Sequence, residues 1–220
     1  MRLALIVVLL SAPALASAEA PVDVAKRIEA FYKEKPEIQA VFLQKVKKPG
    51  RRRVLKKRGE VFFKRPGMMR WDYSRPEKVH YVSDGNVLWS YQPEDALVTR
   101  LDVKSSELYH QSRYLFGQGN LSEDFELSVA PAGVAKADQD GLVLKPKKSS
   151  RDFKSLTLVV DKKTGEIRTT ILVDPYDNES TIIFEKTEYK TLNDTVFQFT
   201  PPKNTTVRDL SKQGGKGGGK

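Results

Sequence analysis

The sequence has no cysteine, only two histidines, and a single long apolar run that ends after eight residues, Leu3 to Leu10. Without cysteine there can be no disulfide, thiol nucleophile or thiolate metal site. There is also no acceptor for the lipid anchor that an exported lipoprotein carries on its first mature residue. His80 and His110 are separated by a hairpin and a helical pattern, and neither has metal-ligand spacing. His80 alternates with Val79 and Tyr81, which suits an outward-facing surface residue. No Gly-x-Ser-x-Gly elbow occurs, and no glycine-rich phosphate loop precedes a helix. Asp138-Gln139-Asp140-Gly141 lacks the downstream ligands of a calcium loop and reads as a hairpin turn. The cluster Asp174, Asp177, Asn178 and Glu179 around Pro175-Tyr176 is also explained by turn chemistry. These absences predict a protein without catalytic residues, metal or cofactor.

The apolar run follows Arg2 and leads through small residues to Ala16-Ser17-Ala18. It is too short to cross a hydrocarbon core of ~30 Å at ~1.5 Å per residue. A positive start, a short apolar core and an Ala-x-Ala end predict a secretory signal over residues 1–18, cleaved after Ala18. The remaining chain, about 200 residues, suits one domain, and nothing in it reads as a membrane span.

Lysine and arginine number 38 against 28 acids, a net charge of +10. Much of the excess is local. Lys45, Lys47, Lys48, Arg51, Arg52, Arg53, Lys56, Lys57 and Arg58 form a block without one acid. Lys212, Lys216 and Lys220 lie in a glycine-rich tail, residues 211–220, whose composition predicts disorder. Export argues against nucleic acid as the partner of these cations. It leaves an anionic membrane surface, an acidic protein, or plain solubilisation.

The first pattern after the signal is helical. Val24, Ala25, Ile28, Phe31 and Tyr32 share one face, with Asp23 as expected N-cap and Pro36 as the stop. From Ile38 the period changes to two. Inward and outward residues alternate through Ile38-Ala40-Phe42, Val61-Phe63, Met69-Trp71-Tyr73, Val79-Tyr81-Ser83 and Val87-Trp89-Tyr91, with a hairpin signal at Asp84-Gly85. Another short strand is expected at Leu97 to Val103. Ser105 to Leu115 reads as a second helix. Strand patterns resume at Phe125–Val129, Leu142–Lys145, Leu156–Val160, Ile167–Val173, Thr181–Phe184 and Val196–Phe199, and Pro201-Pro202 closes regular structure. The expected fold is mainly β: an antiparallel sheet of about ten or eleven strands, curved, with helices over its open side and an apolar space between the layers.

One stretch is more specific. Gly59, Lys64-Arg65-Pro66, Arg70-Trp71-Asp72-Tyr73, Arg75-Pro76, Ser83-Asp84-Gly85 and Leu88-Trp89-Ser90-Tyr91 follow one another in an order and spacing that resembles the LolA-type carriers of outer-membrane lipoproteins. Phe199-Thr200-Pro201-Pro202 extends the resemblance almost to the end of the chain. It implies an incomplete β-barrel over residues 19–210, closed by a helical lid above a cavity for acyl chains.

The implied function is a periplasmic chaperone that shields lipoprotein acyl chains and carries them from inner to outer membrane. Implied partners are acylated lipoproteins, an inner-membrane ABC-type releasing complex, and an outer-membrane acceptor or the outer membrane itself. The carrier is expected to be a monomer in the periplasm of a Gram-negative bacterium. Arg65 maps onto the family's latch arginine, which holds lid carbonyls; always charged and five-fold donating, arginine suits that task. Met69 and Trp71 occupy the family's apolar cargo positions, Tyr73 shares their face, and Trp89 and Tyr91 are expected in the cavity wall. Two other readings stay open: a carrier of another amphiphile such as a glycolipid, and a lipid-sensing regulatory module on the same type of sheet. The basic block and the Lys/Gly tail do not come from the family pattern.

Overall fold

The computed structural model describes residues 19–211, apart from 36, 104–105, 107–108, 110–118 and 149. Helix α1, Pro21–Glu34, starts from Ala20 with Pro21 at its first position. The expected cap at Asp23 is therefore displaced by three residues toward the N-terminus. Proline's fixed φ and missing N–H suit that first position, and Asp23 instead places its charge at the positive end of the helix.

Six strands follow: β1 Glu37–Lys47, β2 Leu55–Lys64, β3 Met68–Arg75, β4 Val79–Asp84, β5 Val87–Gln92 and β6 Leu97–Asp102. After a short helix α2, Leu121–Asp124, come β7 Phe125–Val129, β8 Gln139–Pro146, β9 Ser155–Asp161, β10 Ile167–Val173 and β11 Glu179–Glu188. A 3₁₀ turn, Asp194–Phe197, precedes a last strand β12, Thr206–Asp209.

All twelve strands form one sheet in the order β12-β6-β5-β4-β3-β2-β1-β11-β10-β9-β8-β7. The two ends of that order do not pair, so the sheet is an incomplete barrel. Two meanders, β1–β6 and β7–β11, meet where β1 lies antiparallel to β11. The sheet must curl. Ten strands ~4.8 Å apart would span more than 40 Å if flat, about twice the length of a 14-residue helix at ~1.5 Å per residue. Yet Val24, Ala25, Ile28 and Tyr32 of α1 belong to one buried cluster with Trp71 and Leu88 on one side and Leu142 and Phe125 on the other.

Polar pins fix the helix across one end of this half-barrel. The Tyr32 hydroxyl accepts the backbone N–H of Ile167 at 3.0 Å. Burial pushes that hydroxyl well above the ordinary tyrosine range, so it stays protonated. Arg27 pairs with Asp140 at 2.5 Å, and Glu29 accepts the Leu121 N–H at 2.8 Å. Tyr32→Phe would leave a buried N–H without its acceptor. Urea unfolding is expected to show a loss of about 1–3 kcal/mol, and an unchanged midpoint would refute that pin.

Three sequence expectations change here. Val196–Phe199 is not a strand: Asn193 accepts the Thr195 N–H at 3.0 Å and turns the chain into the 3₁₀ segment. Regular structure continues beyond Pro202, because β12 runs parallel to β6. All four β12 residues are exposed, so no apolar alternation advertises the strand. Asp140-Gly141 lies inside β8 and not in a turn. Of the helix expected over Ser105 to Leu115, only Ser106 and Tyr109 are among the described residues.

Candidate functional site

Cross-strand register decides which side chains face α1. Ala40, Val61, Trp71 and Tyr81 are successive partners across β1–β4, and Ile38, Phe63, Met69, Ser83 and Leu88 are partners across β1–β5. These rows form the inner face. Met69 and Trp71 are each 1% exposed. Phe42 contacts Trp71 and Tyr73 edge-on, both at 5.0 Å between ring centroids, and Phe63 meets Trp71 at 5.7 Å. Tyr73 reaches Tyr81 at 6.1 Å. Beyond the seam, Phe184, Ile182, Leu158 and Leu142 continue the apolar lining. The inner face is thus a wall of rings and aliphatic chains. The indole Nε1 of Trp71 is buried in it without a hydrogen-bond acceptor.

Trp89 and Tyr91 point the other way. Their cross-strand partners Val82 and His80 are in turn opposite Arg70 and Asp72, on the outer face. There Phe199 packs against both rings at 5.7 Å, and Arg100 lies 5.8 Å over the indole. His80 joins the same face, bonded through Nδ1 to Asp72 at 2.6 Å and stacked on Tyr91. Expected in the cavity wall, the pair instead seats the C-terminal segment. Alternation in β5 separates two faces without saying which is inward. Leu88 and Ser90 occupy the inner positions.

The turn between β2 and β3 places Arg65 beside the C-terminal end of α1. Lys64 and Met68 are partners, and Gly67 closes the turn at a φ of +74°. Arg65 Nη2 donates to the carbonyl oxygens of Tyr32, in a short contact, and Lys33 at 3.1 Å. Those carbonyls belong to the last turn of the helix, where the Lys35 N–H reaches back to the Tyr32 oxygen at 3.2 Å and where a cation meets the negative end of the dipole. Tyr109 sits over the same turn, its hydroxyl 3.3 Å from where a Gly67 Cβ would stand.

Lys64, not singled out from the sequence, performs a parallel task. It pairs with Glu37 at 3.3 Å and Asp194 at 2.8 Å, and donates to the Leu192 carbonyl at 3.1 Å. These contacts raise its pKa, the Asp194 bond foremost. Arg70 similarly donates to the Val196 carbonyl at 3.1 Å. The Lys-Arg-Pro element therefore ties down two segments at once, the helix through Arg65 and the C-terminal segment through Lys64.

At the opposite end from α1, a cleft of about 750 Å³ opens onto the inner face between Gln44, Val46, Leu172 and Ser180. Lys48, Arg151, Asp174 and Tyr176 form its rim. Among the described residues no group of three or more histidine, aspartate or glutamate side chains gathers as metal ligands would. No helix among them is long and apolar enough to cross a membrane.

A family model described as outer membrane lipoprotein carrier protein LolA matches residues 35–200. An outer-membrane lipoprotein carrier protein of Nitrosomonas europaea is 31% identical over 208 residues, covering 93% of this chain and 95% of the relative. One of Chromobacterium violaceum is 29% identical over 199 residues, 90% of each chain. Among solved structures, an uncharacterized conserved protein of Thermus thermophilus superposes with a TM-score of 0.54 at 13% identity. The match covers 85% of this chain and 97% of that one, a likeness of fold.

Proposed function

The chain belongs to the LolA family of outer membrane lipoprotein carrier proteins, and from that premise we propose that it shields lipoprotein acyl chains and carries them through the periplasm to the outer membrane. The observation that carries this reading is the juxtaposition of Arg65 with the end of α1, above a wall of buried rings. An acyl chain left in water costs about 0.8 kcal/mol per methylene. Moving α1 aside would offer it the Met69–Trp71–Tyr73 surface in exchange. No bond is made or broken in that exchange, so the work needs no catalytic group.

Arg65 acts as a latch in this reading. Its two carbonyl contacts favour the closed arrangement, and cargo binding has to exceed them by only a few kcal/mol. Loading falls to an inner-membrane ABC-type releasing complex, and unloading to an outer-membrane acceptor or to the membrane itself. Delivery proceeds because each successive site holds the chains more favourably. Residues 1–18 serve as the export signal.

The test is to purify the protein from its native envelope and identify the co-purifying ligand by mass spectrometry. Acylated lipoprotein is the expected species. A free glycolipid, with no acylated peptide, would refute lipoprotein carriage.

A further inference from the structure

The basic block lies at the end of the half-barrel away from α1. Strand β1 starts beside the helix at Glu37 and ends at Lys47, so the β1–β2 hairpin projects from the opposite end. Lys47, Lys48, Arg51, Arg52, Arg53, Lys56 and Arg58 are exposed. Only Arg58 among them is in an ion pair with a described residue, to Glu185 at 2.8 Å. The β8–β9 connection reaches the same end, and its Arg151 faces Lys48 across the 750 Å³ cleft.

Apolar side chains accompany the cations. Val54 and Leu55 in the hairpin are each 39% exposed, and Tyr176 on the neighbouring β10–β11 turn is 81% exposed. Leu55 is the cross-strand partner of Val46, so it lies on the same face as the cleft. Tyr176 is itself part of the cleft's rim. Of the seven large apolar residues exposed among the described residues, three, Val54, Leu55 and Tyr176, gather at this end among the cations. Long basic side chains around small apolar ones, with a tyrosine at the edge, match the layered chemistry of a phospholipid interface. Phosphates there lie outside and acyl carbons just within, and tyrosine is at home between them. An acidic protein surface would satisfy the charges but leave the apolar residues unexplained.

We propose that the β1–β2 hairpin and the β10–β11 turn form a docking surface for an anionic phospholipid bilayer, set so that the open end of the half-barrel faces the headgroups. The docking is independent of carriage and does not require cargo. Each basic residue brought near an anionic surface contributes roughly a factor of five in partitioning, attenuated by salt.

Sedimentation with vesicles tests the proposal on the purified protein. Binding is expected to vesicles of phosphatidylcholine mixed with phosphatidylglycerol, to weaken steeply with added salt, and to be negligible on phosphatidylcholine alone. Replacing the three exposed tip arginines together (Arg51→Gln, Arg52→Gln, Arg53→Gln) is expected to reduce partitioning by roughly a hundredfold. Tyr176→Ala is expected to reduce it severalfold while leaving the salt slope unchanged. Thermal unfolding of each variant checks that the fold is retained. Equal binding to both vesicle types would overturn the proposal, as would wild-type binding by the triple variant. Failure to bind either vesicle would do so too, and salt-sensitive capture of a polyglutamate peptide in that case would make the hairpin a protein-docking surface.

Discussion

Arg65→Leu is expected to load acyl chains more tightly and to release them more slowly than the wild-type protein. The substitution deletes two charge-assisted bonds to the Tyr32 and Lys33 carbonyls. Leucine preserves much of the side chain's volume but offers no donor. If those bonds favour the closed arrangement by about 1.5–3 kcal/mol, their loss raises the open population and the apparent affinity by roughly ten- to a hundredfold. Urea unfolding without ligand should fall by a similar free energy, since the same bonds also stabilise the native state. Arg65→Lys should be intermediate, as an ammonium keeps the charge at the negative end of the helix but sits on a shorter, more flexible stem without the planar guanidinium. Equilibrium binding and displacement of a fluorescent acyl probe measure both limbs. Wild-type uptake together with wild-type release would end the latch reading.

A larger loss of stability is expected from a residue that touches no cargo. A Cβ on Gly59 would stand 2.2 Å from the Asp72 carbonyl oxygen and 2.9 Å from the Phe42 ring. The register between β2 and β3 slips at this point, between Arg58 and Gly59, which brings the Asp72 backbone close. Asp72 cannot easily retreat, because its carboxylate is bonded to Arg70 and His80, both at 2.6 Å. Gly59→Ala should therefore cost about 3–5 kcal/mol, or abolish folding at ordinary temperature. Gly50→Ala is the control. Its Cβ meets nothing within 4 Å, and only its φ of +69° opposes the change, for about 1 kcal/mol. Thermal unfolding of the two variants separates crowding from backbone strain. Equal melting temperatures would mean that the β2–β3 bulge relaxes freely.

Gly59 also shows how far the sequence could be read. A glycine before a strand was visible as part of a motif, but its reason, an approaching carbonyl from β3, is a tertiary fact. Period-two alternation located β3 and β7 well, because one face of each is mostly apolar and the other mostly polar. It failed at β5, where Trp89 and Tyr91 serve an outer face covered by Phe199. A sheet packed on both sides gives large residues on both registers. It failed again at β12, whose four residues are all exposed and which is held to β6 by its backbone and by the Asp209–Arg100 pair at 3.1 Å. Met69, Trp71 and Tyr73 were legible as a row on the inner face, because they alternate with polar Arg70 and Asp72. Lys64 stood in the same motif as Arg65, but its partners Glu37 and Asp194 are far apart in the chain. No local pattern joins them.

The seam between β1 and β11 has a kinetic meaning. Each meander is wired by neighbours in sequence, so its hairpins can close within a few residues of chain. Joining them requires Phe42 to find Phe184, across most of the polypeptide. Loop-closure entropy makes that a slow contact, and together with the pairing of β12 on β6 it raises the relative contact order. For a chain that emerges N-terminus first, β1 must wait with one edge unpaired until β11 arrives. During that interval the aromatic wall is open to water on one flank, and a half-made sheet is the form most in need of protection from its own kind.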